Sequence, residues 1–496
     1  MTKRKKRNAV TLVSLLLALA ALIGAYIWYG NRDTEKENSG ATSDIPLATV
    51  DTSKVTTLHY IGSDVDMKLV RKEGVWKSEE EPERPINQKN VTSMIDTIKE
   101  IKAYQKVTDS AKDLAEFGMD KPAAFIEVTL EDGKTISLRL GSQAITGDGY
   151  YAIVNDETKV YLVGMTYKSG LSFTNTDMTE IMEAPTITAE NITYINIDSR
   201  DGEDVELKYN EKAKLDYSGS LMYQWQILKP YGDGYTADDS KVAEIQANYS
   251  KFDFLDCVDY KGEDLSKYGL NNPTATIDIG YFDTVEPSIT PKPTTAVSNA
   301  SNTEAEKINK EYKILIGDKN DKGDYYVKSD GSNAVYTLSG SSVDKMLQVD
   351  VFSLLNKNVL LPNIQMVDQV SVNINGKQYQ MEIKPIVTKD TSKDEDAEAT
   401  YYFQGKEVKE EDFKKLYQTM LSAQYDALLK EEVDISKLRP VLTLSYHLFG
   451  DYATTVTASF LPYNDSFYIT DIGKGLNFLA DKRYIDQIIE AITAFQ

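Results

Sequence analysis

The chain has 496 residues, 41% of them hydrophobic, with 77 acidic against 55 basic side chains and a net charge of -22. Such an acidic balance excludes the concentrated positive face that nucleic-acid binding needs. Its single cysteine, Cys257, excludes an internal disulfide and a lipid anchor near the N-terminus, so the fold must rest on ordinary hydrophobic cores, and the length accommodates roughly two to four of them.

The first residues predict location. Lys3, Arg4, Lys5, Lys6 and Arg7 form a basic cluster, and from Ala9 to Tyr29 the chain carries no charge. At a rise of about 1.5 Å per residue that run spans about 31 Å, enough to cross a bilayer core. The basic cluster then stays in the cytoplasm, and Trp28 and Tyr29 sit at the far interface. A cleaved signal peptide would have a shorter apolar stretch and a small-residue cleavage site, whereas this one ends Ala25-Tyr26-Ile27-Trp28-Tyr29-Gly30. The expectation is a basic tail over 1–8, a retained transmembrane helix over 9–29, a flexible stalk over 30–50 and an extracytoplasmic bulk.

Beyond the stalk the chain repeats itself. Repeat 1 (51–186) opens with a strand at Val55–Ile61 and a second around Met67–Val70. A third contains Trp76. A predicted helix carries Val91, Met94, Ile95, Ile98 and Ile101, and strands at Phe125–Leu130 and Thr135–Leu140 follow. Between helix and strands stands Asp113-Leu114-Ala115-Glu116-Phe117-Gly118-Met119-Asp120-Lys121-Pro122. Gly141, Tyr150-Tyr151 and Val160-Tyr161 come later.

Repeat 2 (187–362) keeps the order: Ile192–Ile197, Val205–Lys208, Trp225, and a helix with Val242, Ile245, Tyr249 and Phe252. Asp264-Leu265-Ser266-Lys267-Tyr268-Gly269-Leu270-Asn271-Asn272-Pro273 follows, then Gly317, Tyr325-Tyr326 and Val335-Tyr336. Asp to Pro is nine residues in both copies, and the paired tyrosines precede Val-Tyr by ten in both. The distance from Pro to Gly differs, and a Pro-, Ser-, Thr- and Ala-rich stretch predicts a disordered insert over 283–311.

Repeat 3 (363–496) is diverged. It has strands at Val370–Ile374 and Gln378–Ile383, a charged insert over 388–399, and a helix with Phe413, Leu416, Tyr417, Met420 and Leu421. Asp434-Ile435-Ser436-Lys437-Leu438 echoes the signature without its glycine, and a closing helix places Ile485, Ile488, Ile489, Ile492 and Phe495 on one face. Each copy reads as α+β: an antiparallel sheet with packed helices, repeated in series behind the N-terminal helix. Gly118 and Gly269 should take positive φ at the end of a turn, and Pro122 and Pro273 should force an extended path into the next strand.

On the signature Asp-Leu-x-x-Tyr/Phe-Gly-Leu/Met-x-x-Pro, with a tryptophan strand before it and Gly and Tyr-Tyr after it, the chain resembles the bacterial domain-of-unknown-function family 4340. The resemblance implies an exported protein behind one membrane helix, often beside ABC-type transport systems related to gliding-motility components. It carries over no catalytic residue.

The chemistry is sparse. His59 and His447 lie in strand-like runs with no second ligand at metal spacing, and Cys257 has no activating neighbour in sequence. Asp318–Asp324 has Lys322 where a calcium loop needs oxygen, and reads as a turn. Ser342-Val343-Asp344-Lys345 matches Ser-x-x-Lys without its Lys-Thr-Gly companion, so Ser341 or Ser342 reads as a helix cap. No cofactor is expected. Trp76, Asp113, Gly118, Pro122, Trp225, Asp264, Gly269 and Pro273 read as structural. The 32 tyrosines suit half-buried sheets, and Tyr150, Tyr151, Tyr325 and Tyr326 are the candidate binding surface, since alternation turns one of each pair outward. The expected function is a non-catalytic accessory or scaffold beside an ABC-type permease and ATPase. An envelope polymer or glycan is the alternative partner, and an unrecognised hydrolase comes third.

Overall fold

The computed structural model describes residues 44–155, 158–210, 224–232, 234–285, 306–385, 399–449 and 454–495. The expected tail, membrane helix and most of the stalk lie outside these residues, as does most of the charged insert. Among the described residues no helix is long and apolar enough to cross a membrane. The chain divides after Glu180 into two compact units.

In the first unit the strands are β1 (Ile45–Thr49), β2 (Val55–Ile61), β3 (Asp66–Lys72), β4 (Val75–Ser78), β5 (Glu100–Ala103), β6 (Gln105–Thr108), β7 (Ala124–Leu130), β8 (Thr135–Gln143), β9 (Gly149–Val154) and β10 (Val160–Gly164). Helices α1 (Gln88–Thr97) and α2 (Met165–Gly170) join them. Eight strands form one sheet in the order β4-β3-β2-β7-β8-β9-β10-β6, and β1 pairs with β5. The end of the expected stalk is therefore folded: Ile45 and Thr49 lie opposite Ala103 and Glu100.

Period-two burial sets the sheet's inner face, with Leu58, Tyr60, Ile126, Val128, Leu138 and Leu140 all buried. On α1, Val91, Met94 and Ile95 face that layer, and Asn87 caps the helix by accepting from the Asn90 amide at 3.0 Å. Ile101 is not on the helix as its spacing suggests. It sits in β5, where Ile101 and Ala103 are buried between the exposed Glu100 and Lys102, so strand alternation wins over helical spacing.

The second unit begins with β11 (Ile192–Ser199), β12 (Val205–Tyr209), β13 (Trp225–Lys229), α3 (Asp239–Gln246), β14 (Phe254–Asp259), β15 (Ala275–Val285), β16 (Glu306–Lys319), β17 (Tyr325–Ser329), β18 (Val335–Leu338), α4 (Gly340–Leu347) and α5 (Val351–Leu354). Its sheet runs β13-β12-β11-β15-β16-β17-β18-β14, the same topology as the first. The insert is shorter than 283–311, because β15 and β16 stay in register from Ala275↔Ile316 out to Val285↔Glu306. Only 286–305 lies outside the described residues. The position before α4 is Ser339, so Ser341 and Ser342 are first-turn residues and neither is the cap.

The rest of the unit is β19 (Val367–Ile374), β20 (Lys377–Pro385), β21 (Ala399–Phe403), β22 (Lys406–Val408), α6 (Glu410–Met420), β23 (Ala427–Leu428), β24 (Leu442–Leu448), β25 (Thr454–Pro462), β26 (Phe467–Asp471), β27 (Phe478–Asp481) and α7 (Lys482–Ala494). The nine-stranded sheet, β22-β21-β20-β19-β24-β25-β26-β27-β23, is the same order with one added edge strand. Ala399 opens β21, so the charged insert ends before it. One hydrophobic core runs from Ile187 to Ile492 through both sheets, so the boundary at 362 separates two sheets but not two cores.

Candidate binding surface

The signature is a fold device in both full copies. Asp113 Oδ1 accepts from the Ala115 amide at 2.9 Å, and Asp264 Oδ1 from the Ser266 amide at 3.2 Å. These bonds start the 3-10 turns Ala115–Phe117 and Leu265–Tyr268. The turns end at Gly118 (φ 73°) and Gly269 (φ 69°), the left-handed region where a Cβ is unfavourable. Met119 and Leu270 then turn inward, each 3% exposed, and Pro122 and Pro273 lead into β7 and β15.

In repeat 3 the turn Ile435–Lys437 leaves through Leu438 at φ -92°, ψ 148°. Its chain is already extended there, so it needs no glycine and reaches Pro440 sooner.

The tryptophans anchor the long helices. Gln88, the first residue of α1, accepts from the Trp76 amide through Oε1 at 2.8 Å and donates to the Trp76 carbonyl at 2.9 Å. Asp239, the first residue of α3, accepts from the Trp225 amide at 3.2 Å, and burial raises its carboxyl above the ordinary value.

The tyrosine pairs do not make an exposed stacking surface. Tyr325 is buried and donates to Asp344 Oδ1 at 2.9 Å, while Tyr150 packs against the main core. The outward members lie on the signature aromatics: Tyr151 edge-on to Phe117 at 5.1 Å, and Tyr326 edge-on to Tyr268 at 5.0 Å. Alternation places them on the second face, but the signature loop crosses to that face and half-buries them. In repeat 1, Tyr151 and Phe117 pack against Met119, Ile153 and Val160 in a satellite core. In repeat 3 the corresponding position is Ile469, buried with Leu461 and Leu479, and Ile435, Leu438 and Phe467 pack against this cluster.

His59 Nε2 lies 2.8 Å from Asp66 Oδ1, and His447 Nδ1 lies 2.6 Å from Asp368 Oδ1. Cys257 is buried in the core of repeat 2. Asn320 Oδ1 accepts from the Lys322 and Asp324 amides at 2.9 and 3.0 Å, closing the turn between β16 and β17. Among the described residues, no group of three His, Cys, Asp or Glu side chains could hold a metal ion.

Two features have no sequence signal. At the seam of repeats 2 and 3, Phe478 takes Tyr231, Tyr235 and Tyr425 against its ring at 5.3, 5.3 and 4.6 Å. Beside it Lys357 donates to the Phe352 carbonyl, and burial lowers its ammonium to about 8. On the second face of the repeat 3 sheet, Gln380, Ser371, Ser445 and Thr457 stand in register across four strands. Asn373, Thr443 and Ser459 form a parallel row. Both rows are uncharged, within a chain of net charge -22.

A family profile described as a domain of unknown function, DUF4340, matches residues 76–222 and again 225–440. Both matches begin at the tryptophan of the third strand, so the family unit is out of phase with the sheets. No curated protein and no solved structure gives a significant match.

Proposed function

The chain belongs to the DUF4340 family, and on that footing we propose a non-catalytic accessory or scaffold protein, anchored in a membrane by residues 9–29. Its repeats stand outside the cytoplasm, beside the permease and ATPase of an ABC-type transport complex. The observation that supports this reading is the use of the reactive side chains. The histidines pair with single aspartates on sheet faces, Cys257 packs in a core, and the signature residues build turns. Repeated sheets of one topology offer broad faces, which suit partner binding.

The test is protease treatment of intact protoplasts. Loss of the repeats with survival of a fragment carrying the anchor is expected. Full protection of the repeats, or recovery of a soluble chain beginning near Gly30, overturns the reading.

The uncharged hydroxyl and amide rows of repeat 3 favour the second reading, an envelope polymer or glycan as partner. Retention of the full chain on isolated cell-wall polymer, lost when Ser371 and Ser445 are replaced by Glu, would support it.

A further inference from the structure

In the first two repeats the chain leaving the sheet returns to the start of the long helix and closes it. In repeat 1 the Asn87 amide donates to the Met178 carbonyl at 2.9 Å, and the Glu180 amide donates to the Pro85 carbonyl at 2.7 Å. Ile86 and Thr179 form the antiparallel bridge between these bonds. Repeat 2 repeats the pattern: the Asp238 amide to the Leu354 carbonyl at 2.8 Å, the Asn356 amide to the Thr236 carbonyl at 2.9 Å, and the bridge Ala237↔Leu355. Asn87 and Asp238 are the cap residues of their helices. The returning side chains Met178, Thr179, Leu354 and Leu355 are all buried.

The corresponding residues of repeat 3 are Glu407, Val408 and the cap residue Lys409. Val408 pairs with Tyr401 on one side, and β22 is the outer edge of its sheet, with no described strand beyond it. A groove opens here, lined by Val408, Leu416, Ala491 and Phe495. Asp412 also lines it, three residues after the cap, where Asn90 in repeat 1 donates to the returning Asp177 carbonyl at 2.7 Å.

We infer that this groove takes an extended strand from a partner protein, pairing with the outer edge of β22 and burying a leucine- or methionine-type side chain. The strand occupies in trans the place filled in cis by 178–180 and 354–356. Its chemistry follows from those two occupants: an apolar residue whose carbonyl accepts from the Lys409 amide, then a residue opposite Val408, then an amide donating to the Glu407 carbonyl. Charge agrees. Lys409 and Lys415 balance Glu407 and Asp412 around the groove, so an uncharged apolar strand fits a site in an otherwise acidic chain. An unpaired strand edge beside apolar side chains is a template for such pairing.

The probe is a fluorescein-labelled peptide of residues 350–358, Asp-Val-Phe-Ser-Leu-Leu-Asn-Lys-Asn, titrated with the full-length chain in detergent and read by anisotropy. The control peptide carries Leu354→Ser and Leu355→Ser. Lys409→Pro removes the bridging amide without straining the backbone, because the φ of -66° at Lys409 already suits proline, and Lys409→Ala, which removes the ammonium and keeps the amide, is its control and should bind like the parent. Ala491→Trp fills the groove. Saturable binding that weakens tenfold or more with the control peptide and with each of Lys409→Pro and Ala491→Trp, at unchanged melting temperature, supports the inference. Should Ala491→Trp unfold the chain, Lys409→Pro decides alone. Absence of saturable binding to the parent, or binding indifferent to Lys409→Pro, overturns it. So does a dimer in sedimentation that Lys409→Pro dissociates, which would assign the edge to a second copy of the chain.

Discussion

The carbonyl oxygen of Tyr268 lies so close over Gly317 that a Cβ on the glycine would sit 2.0 Å from it. Phe117 and Gly141 stand in the same relation at 1.9 Å. The signature turn and the second strand after it, β8 or β16, are thus pressed together through a glycine on each side: one that turns the chain, and one that admits the turn's backbone. Gly317→Ala should therefore cost about 1–3 kcal/mol, the range for overpacking a tight contact. Denaturant unfolding of the full chain measures it, and an unchanged midpoint would refute the contact.

At Gly269 the conformation itself is the constraint. Its φ of 69° costs a residue with a Cβ about 1 kcal/mol or more, and a Cβ there would also meet the Asp318 carboxylate at 2.4 Å. Gly269→Val should destabilise more than Gly269→Ala, because branching crowds the left-handed region further. The same ranking is expected at Gly118. Valine and alanine variants that melt together would contradict it.

Alkaline stability follows from the tyrosines. Burial raises Tyr60, Tyr194, Tyr235 and Tyr268 to about 12, and pushes Tyr249, Tyr417 and Tyr446 up as well. An unfolded tyrosine titrates near 10. Above that pH the folded state holds more protons, so stability present below about pH 10 is lost as pH climbs toward 12. A melting temperature that stays level from pH 9.5 to 11.5 would contradict this.

Lys357 carries the opposite sign. Its ammonium is lowered to about 8 by burial, against about 10.4 when unfolded. Between those values the unfolded state holds more protons, so this residue adds stability as pH rises through that window. Lys357→Met should be neutral or stabilising near pH 7 and should remove that contribution. Acylation at pH 8 followed by peptide mapping should find Lys357 more reactive than its exposure suggests. A variant that is strongly destabilised near pH 7 would show the ammonium to be a needed partner.

Loop deletion tests the revised insert. Replacing 287–304 with a two-residue Asn-Gly turn should keep the fold and leave the melting temperature level or slightly raised, since cutting the loop about fivefold lowers its closure cost by only about 1.4 kcal/mol. Extending the cut to Asn309 also removes the register Phe282↔Asn309 through Val285↔Glu306 and should cost more. Equal effects would mean that the outer hairpin adds nothing.

Local chemistry was legible in the sequence and single long-range contacts were not. Asp264, Gly269 and Pro273 act within one turn, so their spacing alone announces it. The inner faces of the strands follow from alternation. Ile101 misled because its offset from Ile98 fits a helix, while the alternation that places it in a strand spans only a few residues. Alternation sends one tyrosine of each pair to the second face, and these are Tyr151 and Tyr326, but a loop from elsewhere in the repeat lies over them. The Met178 and Leu354 returns consist of one bridge each and leave no period to read. Lys357 is perturbed by burial beneath Phe352, whose ring lies 6.0 Å from Phe478 of the next repeat, a juxtaposition made by the shared core.

The proposed partnership with a transport complex can be read on native membranes. The direct measurement is affinity purification of the full-length chain from cross-linked membranes, followed by mass spectrometry. Co-enrichment of an ABC-type permease and its ATPase, lost when residues 1–30 are replaced by a cleavable export signal, is the predicted result. Recovery of the chain with cell-wall polymer and no transport subunit would contradict the account.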